Sequence, residues 1–95
     1  MSYKNGDPIF GRIYKGREAL IDLRAARINK NEEVSTLGME VFEFESTIEG
    51  GTLLKEKDKC RLVNGDSEIE LEVISVATGA LPFSQIYFRF TQSNY

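Results

Sequence analysis

Through most of the chain apolar and polar residues alternate one by one, the period of a strand with one face buried. The clearest stretch runs from Lys57 to Val73. Asn64-Gly65 suits a two-residue type I′ turn, because both central residues of that turn must tolerate positive φ. Such a turn pairs Val63 with Asp66, Arg61 with Glu68, Lys59 with Glu70 and Lys57 with Glu72. The last three pairs place opposite charges on one face, each contributing roughly 0.2–1 kcal/mol. Cys60 and Leu62 then share the other face with Ser67, Ile69, Leu71 and Val73. A slip of one residue would turn the charges inward and the apolar row outward, so the faces are strongly specified.

The same pattern predicts further strands on either side. Ile9 to Tyr14 reads as a short strand with Gly11 as a bulge, followed by a turn at Lys15-Gly16-Arg17. Glu18 to Ile28 has apolar residues at 20, 21, 23, 25, 26 and 28, which fit a buried strand or a helical stripe. The preceding glycine and the missing caps favour the strand. Met39 to Ser46 is a strand with Phe42 and Phe44 on one face and Val41, Glu43 and Glu45 on the other. Thr47 to Leu53, with Gly50-Gly51, reads as a second flexible connection. Ile74 to Val76 continue the second hairpin strand, past a switch of apolar parity at Val73-Ile74 that reads as a bulge or a doubly buried end, and Thr78 to Pro82 form a turn. Gln85 to Thr91 closes the fold, with Ile86, Phe88 and Phe90 inward and Tyr87 and Arg89 outward.

Between these strands lies a polar loop of about ten residues: Asn29, Lys30, Asn31, Glu32, Glu33, Val34, Ser35, Thr36, Leu37 and Gly38. Loops this long often carry partner contacts. The expected fold is all-β, a small single-domain β-barrel or sandwich of about six short, mainly antiparallel strands with this long mobile loop. The domain spans residues 8–92 behind a flexible tail at 1–7, with Ser93 to Tyr95 as a short second tail. A helix at 18–28 would make the architecture α+β instead.

At 95 residues the chain supports one modest core. A net charge of −3 argues against holding duplex DNA by phosphate neutralisation, which needs clustered Lys and Arg. The charges are nevertheless uneven along the chain. Lys15, Arg17, Arg24, Arg27 and Lys30 fall early, whereas Glu40, Glu43, Glu45, Glu49, Glu68, Glu70 and Glu72 come later. A polarised surface suits head-to-tail self-association or a charged partner.

Candidate chemistry is sparse. The chain has no histidine, which removes the usual general base and the commonest metal ligand. Its single cysteine, Cys60, forms no internal disulfide and reads as a buried core thiol. Asp58 falls on the inward side of the hairpin, at a frayed start that leaves it solvated. Glu43 and Glu45, like Glu68, Glu70 and Glu72, read as solvated strand faces partly neutralised by Lys57, Lys59 and Arg61. No Asp-rich calcium loop and no phosphate-binding glycine loop is present. Tyr87 and Tyr95 with Arg89 offer an alternative surface, a stacking site in a small β-barrel module for carbohydrate, peptide or single-stranded nucleic acid. No enzyme activity, cofactor, metal or membrane span is expected, and the N-terminus lacks the apolar region of a secretory signal.

The order of signals from Ile21 onward resembles the head–tail joining proteins of tailed bacteriophages, which include adaptor, head-closure and connector components. The similarity lies in a strand like Leu23-Arg24-Ala25-Ala26-Arg27-Ile28, the polar loop at 29–38, and the strand Met39 to Glu45. It continues through Leu54 to Leu62 entering a Gly turn, a strand ending Glu72-Val73-Ile74-Ser75-Val76, and the closing strand Ile86 to Phe90. Where many members carry Gly-Asp, this chain has Lys57-Asp58. The resemblance implies a non-enzymatic neck protein of the virion, present in the host cytoplasm during assembly. Copies would form a ring joining the DNA-filled head to the tail and help close the portal, touching portal, neck or tail proteins. The loop at 29–38 would be an assembly element. The acids Glu43, Glu45, Glu68, Glu70 and Glu72 would form an interface or a lumen that lets DNA pass without specific binding.

Overall fold

A computed structural model describes residues 3–50, 52–77 and 83–93 of the chain. All regular structure among them is β: β1 (Pro8–Lys15), β2 (Glu18–Arg27), β3 (Asn29–Lys30), β4 (Met39–Glu49), β5 (Lys59–Asn64), β6 (Ser67–Ala77) and β7 (Phe83–Ser93). Every neighbouring pair is antiparallel, in the order β2-β1-β5-β6-β7-β4-β3. β2 and β3 are consecutive in the chain yet sit at opposite edges of this sheet. Only a curled sheet brings those edges together, so the strands wrap into a half-barrel. Ile28 joins them and is fully buried; its N–H donates to Asp7 O (3.0 Å) and its carbonyl accepts from Gly6 N (2.8 Å).

The inward residues of all the longer strands meet in one core. Phe42, Phe88, Ile9, Ile13, Leu62, Leu71, Ile86 and Val73 are its largest closed-off members besides Ile28. Phe42 stacks on Phe90 at 5.5 Å and Phe44 on Phe88 at 5.4 Å, across the β4–β7 ladder. Each buried side chain of this size contributes roughly 1.5–3 kcal/mol. The expected faces of β4 and β7 are therefore the observed ones, but both strands are longer than expected: Thr47, Ile48 and Glu49, expected in a flexible connection, pair with Gln85, Ser84 and Phe83, and Ser93, expected in a tail, pairs with Met39.

β2 is a strand, and its helix-like apolar spacing has a local cause. Ile9 pairs with Ala26 but Phe10 with Arg24; Ile13 pairs with Ile21 but Tyr14 with Ala19. Ala25 and Leu20 are thus the extra residues of two bulges, and each breaks the period of two. Ala25 adopts φ 72°, unusual for a residue with a Cβ. The bulges lie on β2, not at Gly11 as the sequence suggested. Gly11 is needed for another reason: with φ 138°, an added Cβ would stand 2.7 Å from Val63 O and 3.0 Å from Leu62 Cδ1. β5 packs where a side chain would be.

The central hairpin forms with a corrected register. Asn64 pairs with Ser67, Val63 with Glu68, Arg61 with Glu70 and Lys59 with Glu72. The turn is therefore Gly65-Asp66, with positive φ (61°) at Gly65 and none at Asp66 or Asn64. That is the type II′ requirement, glycine first, and it spares a residue with a Cβ from the left-handed region. Relative to the expected pairing the partners move by two residues, which leaves each side chain on its expected face. Cys60, Leu62 and Leu71 are accordingly buried. Lys57, expected opposite Glu72, precedes the strand with φ 76°, and its N–H donates to Val73 O (2.7 Å). The bulge expected at Val73-Ile74 is present, since Val73 pairs with Phe88 and Ser75 with Tyr87.

The segment at 3–7, expected as part of a flexible tail, is docked on the sheet. Tyr3 packs edge-on to Phe90 (5.6 Å), its N–H donates to Gln92 Oε1 (2.9 Å), and Gln92 Nε2 donates to Tyr3 O (2.7 Å). The expected turn at Thr78 to Pro82, together with Met1, Ser2, Gly51, Asn94 and Tyr95, lies outside the described residues.

Three substitutions test this geometry by urea denaturation. Gly11→Ala should destabilise by about 2 kcal/mol or more, from the strained φ and the contact with Val63 O. Gly65→Ala should cost about 1–2 kcal/mol while Asn64→Ala stays within about 0.5 kcal/mol. Equal costs at both turn positions would instead indicate the type I′ arrangement.

Candidate functional site

The outward face of the sheet carries the charges, and pairing sets them in rows. Lys59 on β5 lies opposite Glu72 on β6, Glu72 opposite Arg89 on β7, and Arg89 opposite Glu43 on β4. Signs alternate across four strands, the arrangement that avoids like charges facing each other. Lys59 Nζ is 3.4 Å from Glu72 Oε2, and Arg89 Nε and Nη2 both donate to Glu43 Oε2 at 3.0 and 2.6 Å. Arg61 lies over the Tyr14 ring, 5.5 Å from its centroid, and its guanidinium reaches Glu68 (3.3 Å) and Gly16 O (2.7 Å). Of the five acids singled out, Glu43, Glu68 and Glu72 are thus ion-paired. Glu45 accepts a hydrogen bond from Tyr87, whose hydroxyl is held above its ordinary pKa by that carboxylate's charge and, next, by the bond itself. Glu70 faces outward with no ion pair among the described residues. Two acidic strips on β4 and β6 are therefore separated by β7.

The loop at 29–38 is a built element. Asn29 and Lys30 pair with Glu43 and Phe42 as β3. Asn31 N donates to Val41 O (2.8 Å), Ser35 Oγ donates to Asn31 O (2.7 Å) and accepts from Val41 N (3.0 Å). Glu33 N donates to Asn31 Oδ1 (3.1 Å), and Thr36 and Met39 exchange backbone hydrogen bonds at 2.8 and 3.1 Å. Gly38 turns the chain at φ 90°. This web leaves Val34 half-exposed and Leu37 completely exposed, beside an exposed Met39. Glu32 and Glu40 flank Lys30, with Nζ–Oε2 distances of 3.9 and 3.1 Å.

The early basic residues do not form a continuous strip. Lys15 bridges Asp58 at 2.8 Å, Arg27 donates to Gly6 O (3.1 Å), and Lys30 is held as just described. The alternative surface at Tyr87 and Arg89 is half committed, because Arg89 is locked onto Glu43 while Tyr87 is exposed.

A groove of about 600 Å³, unmarked by any sequence signal, runs between β2 and β4, with Arg24, Ala25, Glu45, Thr47 and Tyr87 in its walls. It exists because the β3–β4 ladder stops at Glu43 and β2 forms no ladder with β4.

No group of three or more Cys, Asp and Glu is arranged to hold a metal among the described residues. Cys60 is buried, and that burial pushes its thiol above the ordinary value, an unreactive setting. Asp58 is not merely solvated: its Oδ2 accepts from Lys15 Nζ (2.8 Å) and Lys55 N (2.9 Å). The Lys15 hydrogen bond, then that from Lys55, holds this carboxyl below its ordinary value. A depressed carboxyl stabilises the fold above the unfolded-state pKa, near 4, and loses that contribution as pH falls through the lower folded value. Asp58→Asn should therefore lower the melting temperature at pH 7 and make its decline between about pH 4 and pH 2 shallower than in the wild type. Melting curves across pH check this. Comparison with protein-family models, curated proteins and solved structures finds no match to this chain.

Proposed function

We propose that this chain is a non-enzymatic assembly protein of a phage neck, a ring-forming connector that joins the DNA-filled head to the tail and helps close the portal. The observation that carries this reading is the placement of exposed apolar side chains. Val34, Leu37 and Met39 cluster at the start of β4, while Phe83, opposite Glu49, and Leu53 stand exposed at its other end. β4 spans 11 residues, so the two patches are roughly 30 Å apart. Different patches at opposite ends suit a heterologous contact, in which one end of each copy meets the other end of the next; such contacts close into rings when the rotation permits. The strand order of the resemblance supports the same reading. So does the use of the charged side chains, most of which are engaged within the molecule. A net charge of −3 suits a protein past which DNA slides without being held.

Electron microscopy of the purified protein mixed with DNA-filled, portal-bearing heads tests this directly. The expected result is ring-shaped density at the portal vertex. Leu37→Asp should remove that density while leaving the melting temperature within about 2 °C, because its side chain is exposed. Absence of density with the wild type, or density untouched by Leu37→Asp, counts against the neck role or the loop contact respectively.

A further inference from the structure

We propose that Asn64-Gly65, at the tip of the β5–β6 hairpin, is a self-modification site, where the Asn64 amide is lost as ammonia through a succinimide. This does not depend on the neck reading; it follows from how the fold treats its two Asn-Gly dipeptides. Such a dipeptide is chemically disposed to this reaction, because glycine presents a main-chain nitrogen with no Cβ to hinder it. The chain has two, Asn5-Gly6 and Asn64-Gly65, each followed by Asp. Both asparagines are exposed, so neither local sequence nor exposure separates them. Their hydrogen bonds do. Asn5 Oδ1 accepts from Lys30 N (2.9 Å), and Gly6 N, the atom that would attack, donates to Ile28 O (2.8 Å). Ile28 is the fully buried crossing, so freeing Gly6 N undoes the fold. At the hairpin tip neither the Asn64 side-chain amide nor Gly65 N has a hydrogen bond among the described residues. The space around Gly65 is open as well, since an added Cβ would meet nothing within 4 Å.

The tip is also the least supported part of the hairpin. β1 pairs with β5 only as far as Val63, and β7 pairs with β6 only from Glu72 onward. Asn64 is therefore held by one partner, Ser67, and a terminal pair of this kind opens locally at low cost. Opening it lets Asn64 rotate until Gly65 N reaches Cγ. Gly65 N then bonds to Cγ and gives up its proton to solvent base, and the side-chain nitrogen leaves as ammonia. Water opens the ring in one of two ways. Addition at Cγ leaves an aspartate; addition at the main-chain carbonyl leaves an isoaspartate, with the chain now running through the side-chain carbon. Nothing is oxidised or reduced, and water is the only co-reactant. Either product puts a new carboxylate close to Asp66. The isoaspartate also lengthens the main chain by one carbon, which a tight two-residue turn cannot absorb without loss of the Asn64–Ser67 pair.

The test is incubation of the full chain in mildly alkaline buffer made with heavy-oxygen water, followed by peptide mapping in a mass spectrometer. The label should appear at residue 64, in both aspartate and isoaspartate, and Asn64 should convert about tenfold or more faster than Asn5. In urea, where the bond to Ile28 is gone, the two dipeptides should convert at similar rates. Asn64→Gln should remain folded, because the side chain is exposed, and should lose the acidic species that accumulates in the wild type. An unconverted Asn64 in the folded chain, equal rates at 5 and 64 without urea, or aspartate formed with no isoaspartate would each overturn the proposal. So would a rate difference that persists in urea, since its cause would then lie outside the fold. A failed ring at the portal vertex would leave the proposal standing, which keeps the two conclusions separable.

Discussion

The fold turns on a single crossing. Between Arg27 and Asn29 the chain passes from one edge of a seven-stranded sheet to the other, through Ile28 alone. One residue cannot bridge an open, flat sheet, so the strands must curl until the edges nearly meet. Burial of Ile28 and the hydrogen bonds from Gly6 and to Asp7 hold the crossing in place. The enclosed core, the docked N-terminal segment and the groove between β2 and β4 all follow from that demand. A main chain buried at such a point must find partners, and the residues expected as a tail supply them.

On the outer surface a second regularity governs the charges. Lys59, Glu72, Arg89 and Glu43 alternate in sign because the ladders bring them side by side. Exposed pairs of this kind contribute little each to stability. Their larger effect is on specificity, since a slip of one residue would turn them into the core. Among the exposed side chains, Val34, Leu37 and Met39 stand at one end of β4 and Leu53 and Phe83 at the other.

Much of this architecture was legible in the sequence. The alternation at Phe42-Glu43-Phe44-Glu45 and at Ile86-Tyr87-Phe88-Arg89 has one physical meaning, and both strands form on the faces read, though they run on to Glu49 and from Phe83 to Ser93, beyond the bounds read. The Val73-Ile74 bulge was legible too, because a switch of apolar parity leaves a mark. Three features were not. Asn64-Gly65 and Gly65-Asp66 are both good turn dipeptides, and a shift of two residues preserves every face, so hydrophobic pattern could not choose between them. The β2 bulges scrambled the period and imitated a helix. The loop at 29–38 is polar because its side chains bind its own backbone, as Asn31 and Ser35 do, and composition alone does not distinguish this from a solvated, unstructured loop. The charge patches expected from linear order dissolved for a related reason, since ladders place residues from distant parts of the chain next to each other.

The ladder between β4 and β7 pairs Met39 with Ser93 and Glu49 with Phe83, so the longest seam of the sheet joins its middle to its last strand. Contacts between such distant parts of a chain form late and slowly, because a large loop must close before any of them is rewarded. As synthesis proceeds, the local hairpins can fold while β4, paired only with β3 at Phe42 and Glu43, waits for the final strand to arrive. During that interval Phe42 and Phe44 have no stacking partners, and a nascent chain held at this stage is at its most adhesive.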